Sequence, residues 1–163
     1  MSTPHESRLN QALRGLLHTQ RIASLGTLGV HGEPFVSMVP YAIEPAAGCL
    51  IMHVSLLAPH TRNMLSHPEV SVMVMQPERS DEPVHALPRV SIDGTIKRLL
   101  PDSSSWVAAQ QVYLERFPEA EPMMQLGDFS FMAFFPSCAR HVAGFGSARP
   151  LETEDIVRLL RLP

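Results

Sequence analysis

Three short apolar runs between Arg21 and Ser55, each closed by a tight turn signal, constrain this chain more than any other feature in it. Arg21 to Val30 (RIASLGTLGV) is short, glycine-bearing and strand-like. His31-Gly32-Glu33-Pro34 reads as a hairpin turn, with Gly32 free to take positive φ. Phe35 to Ile43 is the second strand, Ala46-Ala47-Gly48 turns the chain again, and Cys49 to Ser55 is the third. This is a β-meander written almost without interruption.

The rest of the chain adds strands and inserts helices. Pro59 stands where a helix can start, because its missing N–H would be unpaired there anyway. His60 to His67 then makes a short helix that stops before Pro68. Glu69 to Met75 is apolar on both faces and reads as a central buried strand. Gln76 to Leu87 is a polar, proline-rich loop. Arg89 to Leu99 alternates, with Val90, Ile92 and Ile96 on one face, and Gly94 breaks the row as a bulge would. Asp102 or Ser103 caps a helix over Ser104 to Arg116, and Phe117 to Met124 is interrupted by prolines. Asp128 to Phe135 and Cys138 to Phe145 read as two further strands. Helices close both ends: Pro4 to Thr19, with Leu9, Leu13, Leu16 and Leu17 in one stripe, and Ile156 to Leu162.

Six or seven strands linked in sequence favour a mainly β fold with α: an antiparallel, Greek-key-like barrel with flanking helices. No GxGxxG supports a doubly wound sheet. The 163 residues fit one domain, with 1–19 as the N-terminal helix, 20–151 as the barrel and 152–163 as the C-terminal helix.

Composition excludes some partners. The net charge of −3 leaves no electrostatic footprint for nucleic acid. No apolar run is long enough for a membrane span, and Met1 to Gln20 lacks the apolar core of a signal peptide, so the expected location is cytoplasmic. Charged residues make up only 18%, against roughly 25% in an ordinary globular protein, which suggests a subunit interface. Cys49 and Cys138 sit in apolar runs and read as reduced core thiols.

The stretch from Met52 to Pro68 (MHVSLLAPHTRNMLSHP) carries the candidate chemistry. A strand delivers Ser55 to its carboxyl end, and a helix start follows with His60, Thr61, Arg62 and Asn63 in its first turn. Free amides, hydroxyls and a guanidinium fork suit a phosphate. The same residue types also occur at helix starts simply as caps.

PFVSMVPYAIE, LIMHVSLLAPHTRNMLSHPEVSVMV and RVSIDGTIKRL together resemble the FMN-binding split-barrel superfamily of pyridoxamine 5′-phosphate oxidases. The helix after the third strand and the phrase His67-Pro68-Glu69-Val70-Ser71 carry that resemblance. YLERFPEAEPMMQLGDFSFMAFFPSCARHVAGFGSARPL is similar to the haem-utilisation branch of the superfamily, in which an RFPxA phrase, a DF strand and a terminal GFG recur.

The resemblance implies a split β-barrel and a homodimer with the cofactor site at the subunit interface. It implies an FMN-binding oxidoreductase of unknown small-molecule substrate. Ser37, Met38 and Val39 would pass the flavin ring, while His53, Val54, Ser55, His60, Thr61, Arg62 and Asn63 would hold the phosphate and ribityl chain. The catalytic residues stay unassigned. Two departures count against pyridoxamine phosphate itself: Ala58-Pro59-His60 replaces a serine–arginine–lysine triplet, and the C-terminal tryptophan–arginine motif is missing. The alternatives are a haem-binding or haem-degrading utilisation protein and a non-catalytic dimeric barrel. For haem the residues are Asp128, which matches the acid opening the DF strand, and His141, since no histidine follows Gly146. Trp106, Tyr113 and Phe117 could stack against a flavin or haem, although side chains at such helix-like spacing are more often packing residues.

Overall fold

The computed structural model of the chain describes residues 6–162. Pro4 and His5, where the sequence starts its first helix, lie outside the described residues, as does Pro163.

Helix α1 (Arg8–Thr19) begins where the Ser7 hydroxyl accepts from the Asn10 amide at 3.2 Å. It buries Leu13, Leu16 and Leu17, while Leu9 remains exposed. Strand β1 (Ile22–Leu28) turns through Gly32, at φ +83°, into β2 (Pro34–Pro40). The expected second strand then splits. At Tyr41 the chain leaves its pairing with β1, and β3 (Ala42–Glu44) pairs instead with β4 (Cys49–Ser55). Helix α2 (Pro59–Ser66) leads to β5 (Glu69–Met75), and β6 (Arg89–Arg98) follows the proline-rich loop, which holds one turn of 3₁₀ helix at Val84–Ala86. Helix α3 (Ser104–Arg116) is capped by Ser103, and a 3₁₀ segment spans Pro118–Gln125. The chain ends with β7 (Phe129–Val142), β8 (Ala148–Glu152) and α4 (Thr153–Arg161).

The strands form one antiparallel sheet in the order β2-β1-β5-β6-β7-β4-β3, with β8 on β7. Its two end strands, β2 and β3, are separated in the chain only by Tyr41. The sheet must therefore curl until its ends nearly meet, which is the split barrel. No helix among the described residues is long and apolar enough to cross a membrane.

Two differences from the sequence reading have one cause, a bulge. The two strands expected over 128–145 are a single strand of 14 residues. Opposite β6, Asp93 pairs with Cys138 but Gly94 pairs with Pro136, so Ser137 is the extra residue. Before the bulge Met132 and Phe134 face the barrel interior; after it Ala139 does. The switch of parity makes one strand read as two. It also places Cys138 on the exposed side, so only Cys49 is a core thiol.

Burial on both faces belongs to a different strand from the one expected. On β5 Val70, Val72 and Val74 are buried while Glu69, Ser71 and Met75 are exposed. On β4 every residue from Cys49 to Val54 is buried. One face of β4 looks into the barrel, and the other is covered by Ala109 and Tyr113 of α3 and by Phe117 just after it.

Candidate functional site

The carboxyl end of β4 meets the amino end of β7, because Ser55 pairs with Phe129. The Ser55 hydroxyl donates to Asp128 Oδ2 at 2.7 Å and accepts from the Leu57 amide at 3.1 Å. The Leu56 amide donates to the Asp128 carbonyl at 2.6 Å. The chain is thus tied down at this corner before α2 begins.

His53 lies two residues upstream and is 7% exposed. Its ring sits among those of Phe131, Phe129 and Tyr113, with centroids 4.5, 5.0 and 5.7 Å away. Burial pushes its pKa down to about 4, so the imidazole is neutral at physiological pH. Its Nδ1 is buried with no hydrogen-bond partner.

Helix α2 spends most of its amino-terminal donors internally. Pro59 has no N–H, and the Thr61 and Arg62 amides both donate to the Ala58 carbonyl, at 3.1 and 3.3 Å. Thr61 is fully buried with its hydroxyl unpaired. Asn63 Nδ2 donates to Thr27 Oγ1 at 3.0 Å, pinning α2 to β1. His60 is half-buried, and desolvation lowers its pKa. Arg62 is exposed.

The other candidates are dispersed. Val54 and Val39 point into the barrel core. Ser37 is half-buried with its hydroxyl unpaired, and Met38 is 58% exposed beside Met73 and Met75 in a shallow cleft of about 220 Å³. His141 is 1% exposed, its Nδ1 accepts from Arg149 at 3.3 Å, and the same arginine donates to Asn10. It lies at the far end of β7 from Asp128. At about 3.3 Å per residue the strand spans on the order of 40 Å. Asp128 and His141 of one chain therefore do not meet over one ligand. Asp128 meets Ser55 instead, and His141 is buried against Arg149.

The sequence missed the box of Phe129, Phe131 and Tyr113 around His53. It singled out Ser55 and Asp128 separately, and their pairing spans 73 positions, which no local pattern encodes. Among the described residues no group of three or more His, Cys, Asp or Glu side chains could hold a metal ion directly.

The model of one family, described as CREG, beta-barrel, matches residues 4–157. The haem oxygenase HutZ of Vibrio cholerae is 27% identical over 158 residues, covering 96% of this chain and 89% of that protein. The non-canonical chloroplastic haem oxygenase HOZ of Arabidopsis thaliana is 34% identical over 117 residues, 72% of this chain but only 34% of its own length. A haem-binding protein from Mycobacterium smegmatis superposes with a TM-score of 0.83 over 95% of this chain and 62% of its own, at 24% identity. This chain thus spans only part of two of these three relatives.

All three are named for haem and none for a flavin. That overturns the expectation of an FMN-dependent oxidoreductase. At the corner Ser55 is already engaged by Asp128, and the Thr61 and Arg62 amides by the Ala58 carbonyl, so several of the donors expected for a phosphate are taken.

Proposed function

The chain belongs to the CREG β-barrel family, on the haem-utilisation side of the split-barrel superfamily, and from that premise we propose that it binds haem. The observation that carries this reading is the likeness to Vibrio cholerae HutZ across 96% of the chain.

The residues at the corner fit such a group. Haem iron takes a neutral imidazole nitrogen, and His60 offers one that is half-buried and that desolvation biases toward its neutral form. Arg62, two residues on and exposed, suits a propionate. Asp128, braced by Ser55, sets a fixed acceptor beside the site. His53, walled by aromatic rings, shapes the floor of the corner rather than reaching out of it. When bound, the haem would supply iron-centred oxygen chemistry; the protein would hold, orient and partly shield it.

A homodimer is part of the proposal. The outer face of β2, β1 and β5 carries Val36, Met38 and Met75 exposed, and a second copy covering it would bring a partner surface toward the Met38 cleft. The two unpaired cysteines suit a reducing, cytoplasmic setting.

Titrating the protein with haemin, followed in the Soret region, tests the reading. A band that saturates and sharpens, and that shifts or collapses in His60→Ala, is the expected result. A response that never saturates would overturn haem binding. An unchanged spectrum in His60→Ala would overturn the ligand assignment alone. Adding a reductant and oxygen to the saturated complex then separates a holder of haem, whose band persists, from a degrader, whose band bleaches as iron is released.

A further inference from the structure

Helix α1 is fastened at its two halves by unrelated contacts. The second half is held from β3 and α3: the Tyr41 hydroxyl, just ahead of β3, donates to the Leu17 carbonyl at 2.7 Å, and Arg116 Nη2 donates to the carbonyls of His18, at 3.0 Å, and Gln20. The first half packs Leu13 into the core, and its polar tie to the barrel runs through Arg149 of β8. Arg149 donates from Nη2 to Asn10 Oδ1 at 2.9 Å and from Nε to His141 Nδ1 at 3.3 Å. Gly15 stands between the two halves, exposed, and glycine is a weak point inside a helix.

The Arg149–His141 bond exists only while His141 Nδ1 is bare. In a neutral imidazole one nitrogen accepts and the other carries the proton, so here the proton sits on Nε2. A second proton removes the acceptor and sets two cations against each other. The guanidinium cannot give up its own proton, so Arg149 must swing away and release Asn10 as it goes. His141 is 1% exposed, so little water screens the repulsion.

No neighbouring charge relieves it. From β8 the facing charge is Arg149 itself. From β6 Val90 stands opposite, and Arg89 beside it donates to the Leu87 carbonyl. On α1, Arg14 and Glu6 pair with each other at 3.0 Å. On α4, Asp155 pairs with Arg158, while Glu154 and Arg161 are exposed. Arg140 of β7 is exposed on the opposite face of its strand. Burial and Arg149 together hold His141 below the ordinary histidine range, so the bond is intact at neutral pH and is lost as the pH falls.

We propose that Asn10, Arg149 and His141 form a proton-operated latch on the first half of α1. One proton taken from solvent at His141 Nδ1 opens it. The segment before Gly15 then leaves the barrel and uncovers the seat of Leu13, while Tyr41 and Arg116 keep the second half in place. None of the three residues belongs to the β4–β7 corner, so the inference stands whether or not haem binds there.

Amide hydrogen exchange of the full chain, expressed as protection over an unstructured chain at each pH, tests the latch. Between neutral and mildly acid pH, protection of 11–14 should fall by about tenfold or more, with 16–19 and the strands falling far less. His141→Gln cannot take up the proton and should keep 11–14 protected at both. Asn10→Ala should leave 11–14 weakly protected at both, because the tie is gone whatever the proton does. Asn10 is half-buried, so that variant decides the matter even where replacing His141 unsettles the core. His18 lies on the second half and is itself depressed by burial, Arg116 and Arg14, so His18→Gln serves as the control and should respond like the parent. Unchanged protection of 11–14 in the acidified parent would overturn the proposal, as would a fall shared equally with 16–19. A pH-dependent fall that persists in His141→Gln or Asn10→Ala, or that vanishes in His18→Gln, would do the same.

Discussion

Gly94 is held to glycine by contact rather than by φ. A Cβ there would stand 2.3 Å from the Phe135 carbonyl oxygen and 2.7 Å from the Phe134 ring. Both neighbours are pinned, one as backbone in β7 and the other as a fully buried core ring. Gly94→Ala should therefore lower the unfolding free energy by roughly 1–3 kcal/mol, the usual range for overpacking. Chemical denaturation reads this directly, and an unchanged midpoint would mean that the bulge relaxes freely. His53 makes a different prediction at the same scale. Its folded pKa, about 4, lies below the ordinary 6.5, so between those values the unfolded chain takes up a proton that the folded chain refuses. The stability that comes from the neutral ring is whole above 6.5 and is lost as the pH falls toward about 4. His18, His60 and His141 are depressed too and act with the same sign. The test is thus a difference: denaturant midpoints of the parent and of His53→Phe, compared at neutral and mildly acid pH. The variant should lose less stability on acidification. Equal losses would show that His53 carries none of the acid sensitivity.

The elements differ in how plainly the sequence announces them. The turn at Gly32, the helix beginning at Pro59 and the bulge at Gly94 were legible because each rests on a local rule of backbone geometry. Strand β8 was not, because Ala148–Glu152 contains Arg149 and Pro150 and has little strand propensity of its own. It forms because β7 continues past its bulge and offers a free edge, a tertiary cause invisible in five residues. The break at Tyr41 and the burial of β4 on both faces are tertiary in the same sense: one follows from closing the barrel, the other from α3 docking on its outside. At the corner, the sequence picked Ser55 from the strand-end and helix-start pattern and Asp128 by resemblance, but could not supply the β4–β7 register that joins them. Register also yields a test. Deleting Ser137 would remove the extra residue and leave a regular ladder, with Cys138 still opposite Asp93 and Ala139 still opposite Ile92, so no side chain beyond it changes face. What is lost is the local bend and two contacts, the Ser137 hydroxyl to the Asp93 carbonyl and the Thr153 hydroxyl to the Ser137 carbonyl. The expected outcome is a folded protein with a lower unfolding midpoint and faster amide exchange confined to the residues around 136–138 and the start of α4. Rapid exchange across the whole of 138–152 would mean that the register slips when the bulge is removed.

For the whole molecule, the low charge content suggests a covered surface, and the outer side of β2, β1 and β5 offers one. Met38, Ser24 and Met73 lie in one row across the three strands, with Val36, Gly26 and Ser71 in the next. Small residues on the middle strand leave a trough between larger apolar ones, and a hollow of about 520 Å³ runs on past Gly26, Val36 and Gly94. Val36 is 70% exposed and Met38 58%, on a strand bonded along one side only. An apolar face beside an unpaired edge invites association, and a second copy of this chain would remove both from water. The protein should therefore run at twice its chain mass of 18.0 kDa in light scattering. Replacing Val36 and Met38 together by Glu should halve that mass, because desolvated, unpaired carboxylates cannot be accommodated in such an interface. Unfolding of the separated chains should stay cooperative, since neither residue belongs to the core. If the haem site is completed by the partner subunit, the same variant loses haem affinity while still folded. If haem affinity survives in the monomer, a single chain's β4–β7 corner is sufficient, and the dimer serves only to cover the sheet.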